Sequence, residues 1–574
     1  MARIRKVEIQ NYRGIQSFSW CPSPGVNCLI GPGDSSKSSI LDAIDLCLTA
    51  RRNIQFTDAD FWQLDVENAI RITITLGELG DALKNIDAYG LYLGGYNADT
   101  GQVEGEPEAD LETVLTVQLE VGSDLEPSWR LVSDRAAEEE RPRYLSWSDR
   151  VSLAPSRMGA MASYNLSWRR GSVLNQISEE RADASAALVA AARDARLAFG
   201  EGAKDQLSEA LDIVGTTAQD LGIPIGAEAK ALLDTHAVSF GGGTISLHDE
   251  SGVPLSGLGT GSTRLLVAGL QRKAAERTTI VLIDELEYGL EPHRIIRLLG
   301  ELGAKEQTPP LQVFMATHSP VVLRELSGDQ LCVLRKQDDH HDISCVGTED
   351  DVQGTMRGFP EAFLAPSVLV CEGATEIGLV RGLDFYRLEQ GRTSMSAHGV
   401  ALTNGGGDEV FKRAKAFQKL GYRVAVLRDS DKLPTPELEA QFKAAGATVF
   451  AWRDGCALEA ELFLSLSTEG VNGLVDHAIE LKGEELIDEH IKTASENGTN
   501  LTTIQAECFA RHLSNENRMV LARAAKSRRG SWFKSVSAME GASRDVVGPD
   551  LGNAAVEFQG RINAIFAWIE NAGG

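Results

Sequence analysis

The feature that most constrains this chain is a strand, a glycine-bearing loop and a helix in immediate succession near its start. Val26 to Ile30, VNCLI, is a short apolar run of strand length. Gly31 to Ser39, GPGDSSKSS, follows it, and SSILDAIDLCLTA then places Ile40, Leu41, Ile44 and Leu48 on one face of a helix. This is the setting a phosphate-binding loop requires. The loop nearly fits GxxxxGK[ST], in which backbone N–H groups wrap phosphates, a lysine reaches the β and γ groups and a hydroxyl binds magnesium. Lys37 and Ser38 take those two roles, with Gly31, Gly33, Asp34, Ser36 and Ser39 completing the ATP-contacting loop. Ser36 stands where glycine is the rule. A left-handed conformation costs a non-glycine residue about 1–2 kcal/mol, enough to weaken nucleotide binding without abolishing it. Taken alone, the loop also reads as a solvated serine-rich turn.

Its context argues for nucleotide. TTIVLIDELEYGLEPH is an apolar strand ending at Asp284 and Glu285, so that one carboxylate holds magnesium through water and the next polarises the attacking water. ATHSP further on puts His318 at a strand end, placed to sense a γ-phosphate. LSGLGTGSTRLLVAGL sets Gly259, Gly261 and Ser262 at the start of an apolar helix, whose unpaired N–H groups suit a phosphate. Acids often end strands and a lone histidine in a turn is usually structural, but the order of these pieces is hard to reach by chance.

The set resembles the ABC-type ATPases of the RecF, SMC and OLD (overcoming lysogenization defect) group. That resemblance implies that LSGLGTGS is a signature motif acting in trans on nucleotide held by another subunit, and IQNYRGI resembles the group's amino-terminal strand. Only 247 positions separate Lys37 from Asp284. Long hinge-bearing arms are thereby excluded, which leaves the compact members.

A second constellation follows. CEGATE puts Glu372 at the end of the apolar strand SVLVC with Glu376 four residues on, and VAVLRDSDK ends another strand at Asp429 and Asp431. Acids two apart on an extended segment point the same way and can share magnesium with a neighbouring glutamate, stabilising charge on a phosphodiester. Either piece alone also reads as a solvated strand end. In that order they resemble a Toprim domain, and GCALEAELF offers Glu459 and Glu461, which match the further acids of OLD-family nucleases and would complete a second metal position. Between Arg511 and Lys534 the chain carries Arg511, Arg518, Arg523, Lys526, Arg528, Arg529 and Lys534 against one acid, Glu516. Arg523, Lys526, Arg528, Arg529, Trp532 and Lys534 are the candidate DNA contacts; a solvated basic helix is the plainer reading. The family resemblance implies a catalytic lysine here, assigned to Lys534.

The organisation expected is α/β: an ABC-type, RecF/SMC-like ATPase domain (1–175 and 236–360) interrupted by an alanine-rich helical dimerisation insertion (176–235), then a Toprim domain with a basic C-terminal segment (361–574). This order resembles the OLD family along nearly the whole chain; the nuclease subunit of the Gabija defence system shares the design. The resemblance implies a metal-dependent DNA endonuclease or nickase, with catalytic Glu285, His318, Glu372, Asp429, Asp431 and Lys534. Its cofactors would be ATP and Mg2+, or Mn2+ at the Toprim site. Expected metal ligands are Ser38, Asp284, Glu372, Glu376, Asp429, Asp431, Glu459 and Glu461. Expected partners are DNA, further copies of the chain as a homodimer or dimer of dimers, and a helicase-like or other defence-system protein. An ATP-gated RecF-type scaffold with a non-cleaving Toprim-like domain is the alternative. A topoisomerase or primase is weaker, because nothing resembles a tyrosine-bearing strand-passage domain or a zinc-bearing primase module.

Composition sets bounds on these readings. The 574 residues carry 56 basic and 82 acidic side chains, a net −26, which argues against nonspecific coating of nucleic acid and directs attention to local cation clusters. No run approaches the ~20 apolar residues of a membrane span. The eight cysteines are scattered with no CxxC pair, which points to buried thiols in a reducing, cytoplasmic setting. The opening MARIRKVEIQNYRG returns to charge too soon for a signal peptide, so the mature chain is expected to start near Met1.

Overall fold

The computed structural model describes residues 2–51, 54–138, 143–159, 162–167, 172–174, 184–203, 207–220, 230–231, 247–275, 279–336, 340–432, 435–527 and 530–571. The chain packs as two units. One comprises Met1–Leu29, Ser36–His318 and Gln337–His341, the other Ile30–Ser35, Ser319–Lys336 and Asp342–Gly574.

In the first unit, alternating apolar residues build an antiparallel sheet. β1 (Arg3–Tyr12) and β2 (Ile15–Trp20) form a hairpin whose turn uses Arg13 at φ 49° and Gly14. β1 then pairs with β4 (Ile70–Gly77), and β4 with β7 (Glu112–Val121). Beyond it, β7 carries β5 (Leu93–Asn97) and β8 (Pro127–Val132), and β6 (Gln102–Glu104) edges β5. Ile4, Val7, Ile9 and Tyr12 of β1 are fully buried; Val7 and Ile9 keep the two-residue alternation, and a register shift between Ile4 and Lys6 and the positive φ of Asn11 change its phase at the two ends.

A parallel set in the same unit runs in the order β3 (Val26–Ile30), β11 (Gln312–Ala316), β10 (Ile280–Ile283) and β9 (Ser156–Met158). Every residue of β3, β10 and β11 is buried. Parallel strands covered on both faces read as continuous apolar runs, which is why VNCLI, IVLI and QVFMA stand out in the sequence. Helix α1 (Lys37–Leu48) leaves the loop after β3 and buries Ile40, Leu41, Ile44 and Leu48, each side chain contributing roughly 1.5–3 kcal/mol. Of the helical insertion, Ala184–Ala203 and Ser208–Asp220 are helices, and most of the rest lies outside the described residues. Beyond the insertion the chain is described from 247, where Leu255 N–H meets Leu247 O at 2.9 Å.

The second unit includes strands β12 (Leu331–Lys336) and β13 (His341–Cys345), the latter beginning on the last residue of the first unit. Its centre is a parallel sheet ordered β15 (Val400–Asn404), β14 (Ser367–Cys371), β16 (Arg423–Arg428) and β17 (Thr448–Ala451). The helix Ala374–Glu389 follows β14 and lies close against Val536–Ala542. Gly378 permits this, since a Cβ there would sit 2.6 Å from Val536 O. Leu458, Leu462, Trp532, Phe533, Phe558 and Phe566 join the sheet's inner face in one core. Among the described residues, no helix is long and apolar enough to cross a membrane. Cys28, Cys47, Cys332, Cys371 and Cys508 are buried as expected, whereas Cys21 and Cys345 are exposed.

Candidate nucleotide and metal sites

The phosphate loop has the conformation its sequence demands. Ser36 takes the left-handed region at φ 68°, ψ 19°, and Asp34 is at φ 58°. The Ser36 hydroxyl lies 3.2 Å from His341 Nε2, and a Cβ on Gly14 would come within 2.9 Å of it. The glycine of IQNYRGI therefore makes room for the serine. Lys37 is buried, Ser38 is exposed, and Ser38 Oγ donates to Asp284 Oδ1 at 3.2 Å. The two expected magnesium-binding groups are thus brought together from 246 residues apart. Ser36→Gly is expected to tighten ATP binding by about 5- to 30-fold, the value of the left-handed cost, in a fluorescent-nucleotide titration. Unchanged affinity would show that the contact with His341 offsets the strain.

Glu285 follows Asp284 at φ 48° with its side chain exposed. Two residues not singled out in the sequence hold this turn. Arg264 is fully buried and donates through Nη1 to the carbonyls of Glu285, Leu286 and Tyr288 at 3.0, 3.2 and 2.7 Å, and through Nη2 to Asp284 O at 3.2 Å. Glu287 accepts from Thr317 Oγ1 at 2.6 Å and from His318 N–H at 2.7 Å, tying the His318 turn to the acids. The His318 ring is exposed. Gly259 caps the helix Thr260–Lys273 without a side-chain hydrogen bond. Gly261 is buried, a Cβ there lying 2.8 Å from Gly289 O, and Ser262 Oγ accepts from Arg294 at 3.3 Å. Arg264→Lys, which replaces a planar fork by a point charge, should lose at least two of the four carbonyl contacts. We expect a stability loss of about 2–4 kcal/mol and at least a tenfold fall in ATP turnover, read by thermal unfolding and phosphate release.

In the second unit, strand ends deliver the acids. Glu372 leaves β14, and its Oε2 accepts from Asp429 N–H at 2.8 Å. Asp429 Oδ1 in turn accepts from Leu458 N–H at 3.0 Å, at the start of the helix Leu458–Ser465. Glu376 is buried, with Oε2 on Gly373 N–H at 2.8 Å, and Glu459 is buried beside it. Burial first, then repulsion by Glu376, Glu372 and Glu459, pushes Asp429 up to about 9. Glu376 is pushed up to about 7, by burial and then chiefly by Glu459 and Glu372. Glu372 and Glu459 are raised as well, again by burial first, while Lys526 and Lys534 draw Glu459 back. Lys526 Nζ meets Asp431 Oδ2 at 2.9 Å. Burial opposes its charge, but Asp431, Glu459 and Asp429 more than offset this and raise its ammonium pKa.

Several expectations are corrected. Asp429 and Asp431 do not share a face of one strand: β16 ends at Arg428, and on the turn beyond it Asp429 faces Leu458 N–H while Asp431 is exposed and paired with Lys526. Glu461 is not beside Glu459. Residues two apart on a helix point about 200° apart, and Glu461 is fully buried against Arg561 at 3.1 Å, Arg453 at 3.7 Å and Ser465. Trp532 is no exposed stacking platform but a core residue, its Nε1 donating to His490 Nδ1 at 3.2 Å and its ring edge-on to Phe463. Arg518 is buried too, donating to the carbonyls of Phe463 and Leu466. Arg523, Lys526 and Lys534 are exposed, and Arg528 and Arg529 lie outside the described residues. A paired substitution separates the two glutamates. Glu461→Gln should cost about 2–3 kcal/mol of stability, the buried-pair loss discounted because both arginines are part-exposed. Glu459→Gln should leave the melting temperature near wild type and depress metal-dependent cleavage.

Among the described residues, no three His, Cys, Asp or Glu side chains form a ready metal cage. The donor chemistry nevertheless fits a hard divalent cation: Glu372, Glu376, Asp429 and Glu459 supply only carboxylate oxygens, and their crowding leaves a repulsion such an ion would relieve.

Ser38, beside Lys37, meeting a strand-end acid in one unit, and clustered carboxylates ending parallel strands in the other, define a P-loop ATPase fold joined to a Toprim-type fold. The chain belongs to the family described as "AAA domain, putative AbiEii toxin, Type IV TA system", whose model matches residues 26–324, and residues 363–431 match the Toprim domain of overcoming lysogenization defect protein-like chains. The OLD resemblance read from the motifs is thereby shown, as is the expected α/β fold class. Such domains in general use nucleotide and divalent metal.

The OLD nuclease of Thermus scotoductus is 25% identical over 390 residues, 60% of this chain and 65% of that protein. RecF of Prosthecochloris aestuarii is 28% identical over 78 residues, 14% of this chain and 21% of that one. The chain thus spans less than two thirds of the length of either relative. Among solved structures, an SMC head bound to the C-winged helix domain of ScpA gives TM-score 0.34 at 16% identity, covering 59% of this chain and 96% of that one. A nucleotide-bound RecF structure gives 0.29 at 13%, covering 60% and 98%.

Proposed function

We propose that the chain is a metal-dependent DNA endonuclease or nickase whose cleavage is coupled to, or governed by, nucleotide at the ATPase site. The observation that carries this reading is the group of buried, mutually repelling carboxylates with Lys526 and Lys534 at its edge. Glu372, Asp429, Glu376 and Glu459 would hold Mg2+ or Mn2+, which supplies Lewis-acid stabilisation of phosphodiester charge and a more acidic bound water. The chain's own part is positioning. Glu372 and Asp429 are oriented by the amides of Asp429 and Leu458, Lys534 is assigned to the scissile phosphate, and Arg523 and Lys526 to the DNA backbone. In the ATPase unit, Ser38 and Asp284 would share magnesium, with Glu285 acting on the attacking water and His318 sensing the γ-phosphate. Copies of the chain would associate through the ATPase and helical parts. A role in anti-phage defence or DNA repair, with a helicase-like or other defence partner as in Gabija, completes the proposal.

The ATP-gated scaffold of the RecF kind draws support from one contact, the Lys526 ammonium on Asp431, which neutralises a would-be ligand without any metal. Supercoiled plasmid and linear duplex, incubated with protein in magnesium or manganese with and without ATP, decide between the two. Metal-dependent nicks or breaks are the expected result. DNA-stimulated ATP hydrolysis with intact plasmid in every lane would favour the scaffold.

A further inference from the structure

Two cysteines far from the acid cluster in sequence meet in space. Cys332 on β12 and Cys345 at the end of β13 have their Sγ atoms 3.4 Å apart. The strands are tied next to the pair, where Val346 N–H donates to Leu331 O at 2.9 Å. Their exposures differ: Cys332 is 1% exposed, and Cys345 is open to solvent. The hydrogen bond with Cys332 is the first cause drawing the Cys345 thiol down to about 7, against burial and Asp329. Cys345 is thus the accessible thiol whose thiolate form Cys332 favours, and the thiolate is the reactive form. An accessible, acidic thiol beside a shielded second thiol is the arrangement of an attacking and a resolving cysteine.

We propose that Cys332 and Cys345 form a dithiol modification site, closed to an intrachain disulfide by a hydroperoxide and able in its reduced form to chelate a trivalent arsenical. The Cys345 thiolate attacks one peroxide oxygen; the S–O bond forms as the O–O bond breaks, and the departing hydroxide takes a proton to become water. Cys332 sulfur then attacks the Cys345 sulfenic sulfur, the S–S bond forms as the S–O bond breaks, and the hydroxide released takes the Cys332 proton. In sum, two thiols and one hydrogen peroxide give one disulfide and two waters, the sulfurs losing two electrons and the peroxide gaining them. In a reducing compartment such a bond is transient and reports oxidant rather than holding the fold together. The inference needs no assumption about DNA cleavage.

The test treats the full chain with one to ten equivalents of hydrogen peroxide at pH 7.5, then alkylates and maps peptides without reduction. The expected result is a Cys332–Cys345 crosslinked peptide, loss of two of the eight thiols titrated in denaturant, and recovery of both with dithiothreitol. In Cys332→Ser, dimedone should label Cys345; in Cys345→Ser, neither position should react. Phenylarsine oxide should bind the wild type at least tenfold more tightly than either variant. Both cysteines remaining reduced while the exposed Cys21 oxidises, or a disulfide joining two molecules, would overturn the proposal. The wild-type map alone decides this should a serine variant fail to fold.

Discussion

Alanine at Glu372 is expected to abolish metal-dependent plasmid cleavage, by about 10²–10³-fold or more, the scale on which one fixed electrostatic stabiliser acts at a reacting centre. Two losses combine. The carboxylate donates oxygens to the acid cluster, and it also holds Asp429 N–H at 2.8 Å, which sets the turn that presents Asp429. Nucleotide hydrolysis is expected to continue in the same preparation, because Lys37, Ser38, Asp284 and Glu285 belong to the other unit. Initial rates of plasmid nicking and of phosphate release, measured side by side, check both halves. Cleavage at the wild-type rate in the alanine variant would remove the cluster from the chemistry.

The second large effect runs in the opposite sense on stability. Asp429 titrates near 3.9 in an unfolded chain and about 9 in the folded one, burial and its carboxylate neighbours being the cause. Between those values the folded state keeps a proton that the unfolded state has shed, so stability present at low pH is lost as pH rises through the folded pKa. Asparagine keeps the acceptor for Leu458 N–H and carries no charge. In chelator at pH 8.5, Asp429→Asn should therefore melt about 5 °C above wild type, with the gap narrowing toward pH 5. Millimolar magnesium should raise the wild type and leave the variant unmoved, while cleavage by the variant is lost. Equal melting temperatures in chelator across that range would show that the cluster carries no such penalty.

Much of this was legible because buried parallel strands leave unbroken apolar runs. VNCLI, IVLI, QVFMA, SVLVC and VAVLR each became a strand, and the residues that follow them supply the two candidate sites. Ser36 was legible for a different reason, since only its backbone angle had to be inferred. The failures share a cause as well. Glu459 and Glu461 look alike until helix phase sends them to opposite sides. Trp532 beside Lys534 looks like a DNA contact, yet the partners that bury it, Phe463 and His490, are 69 and 42 residues away. Arg264 and Glu287 escaped because they act on backbone carbonyls, a hydroxyl and an amide, which no side-chain pattern announces.

The link from Glu372 through Asp429 N–H, and from Asp429 through Leu458 N–H, makes the acid site a relay of three chain segments joined by amides. Amides are the one chemistry that nearly every residue type supplies, so this relay depends less on which side chains flank Asp429 and Leu458 than on the backbone path between them, which β17 and the buried Phe442 and Trp452 hold in place. An insertion in the exposed turn after the helix Pro436–Ala444, at Ala445–Gly446, should therefore be tolerated far better than a single-residue slip in the turn after Arg428.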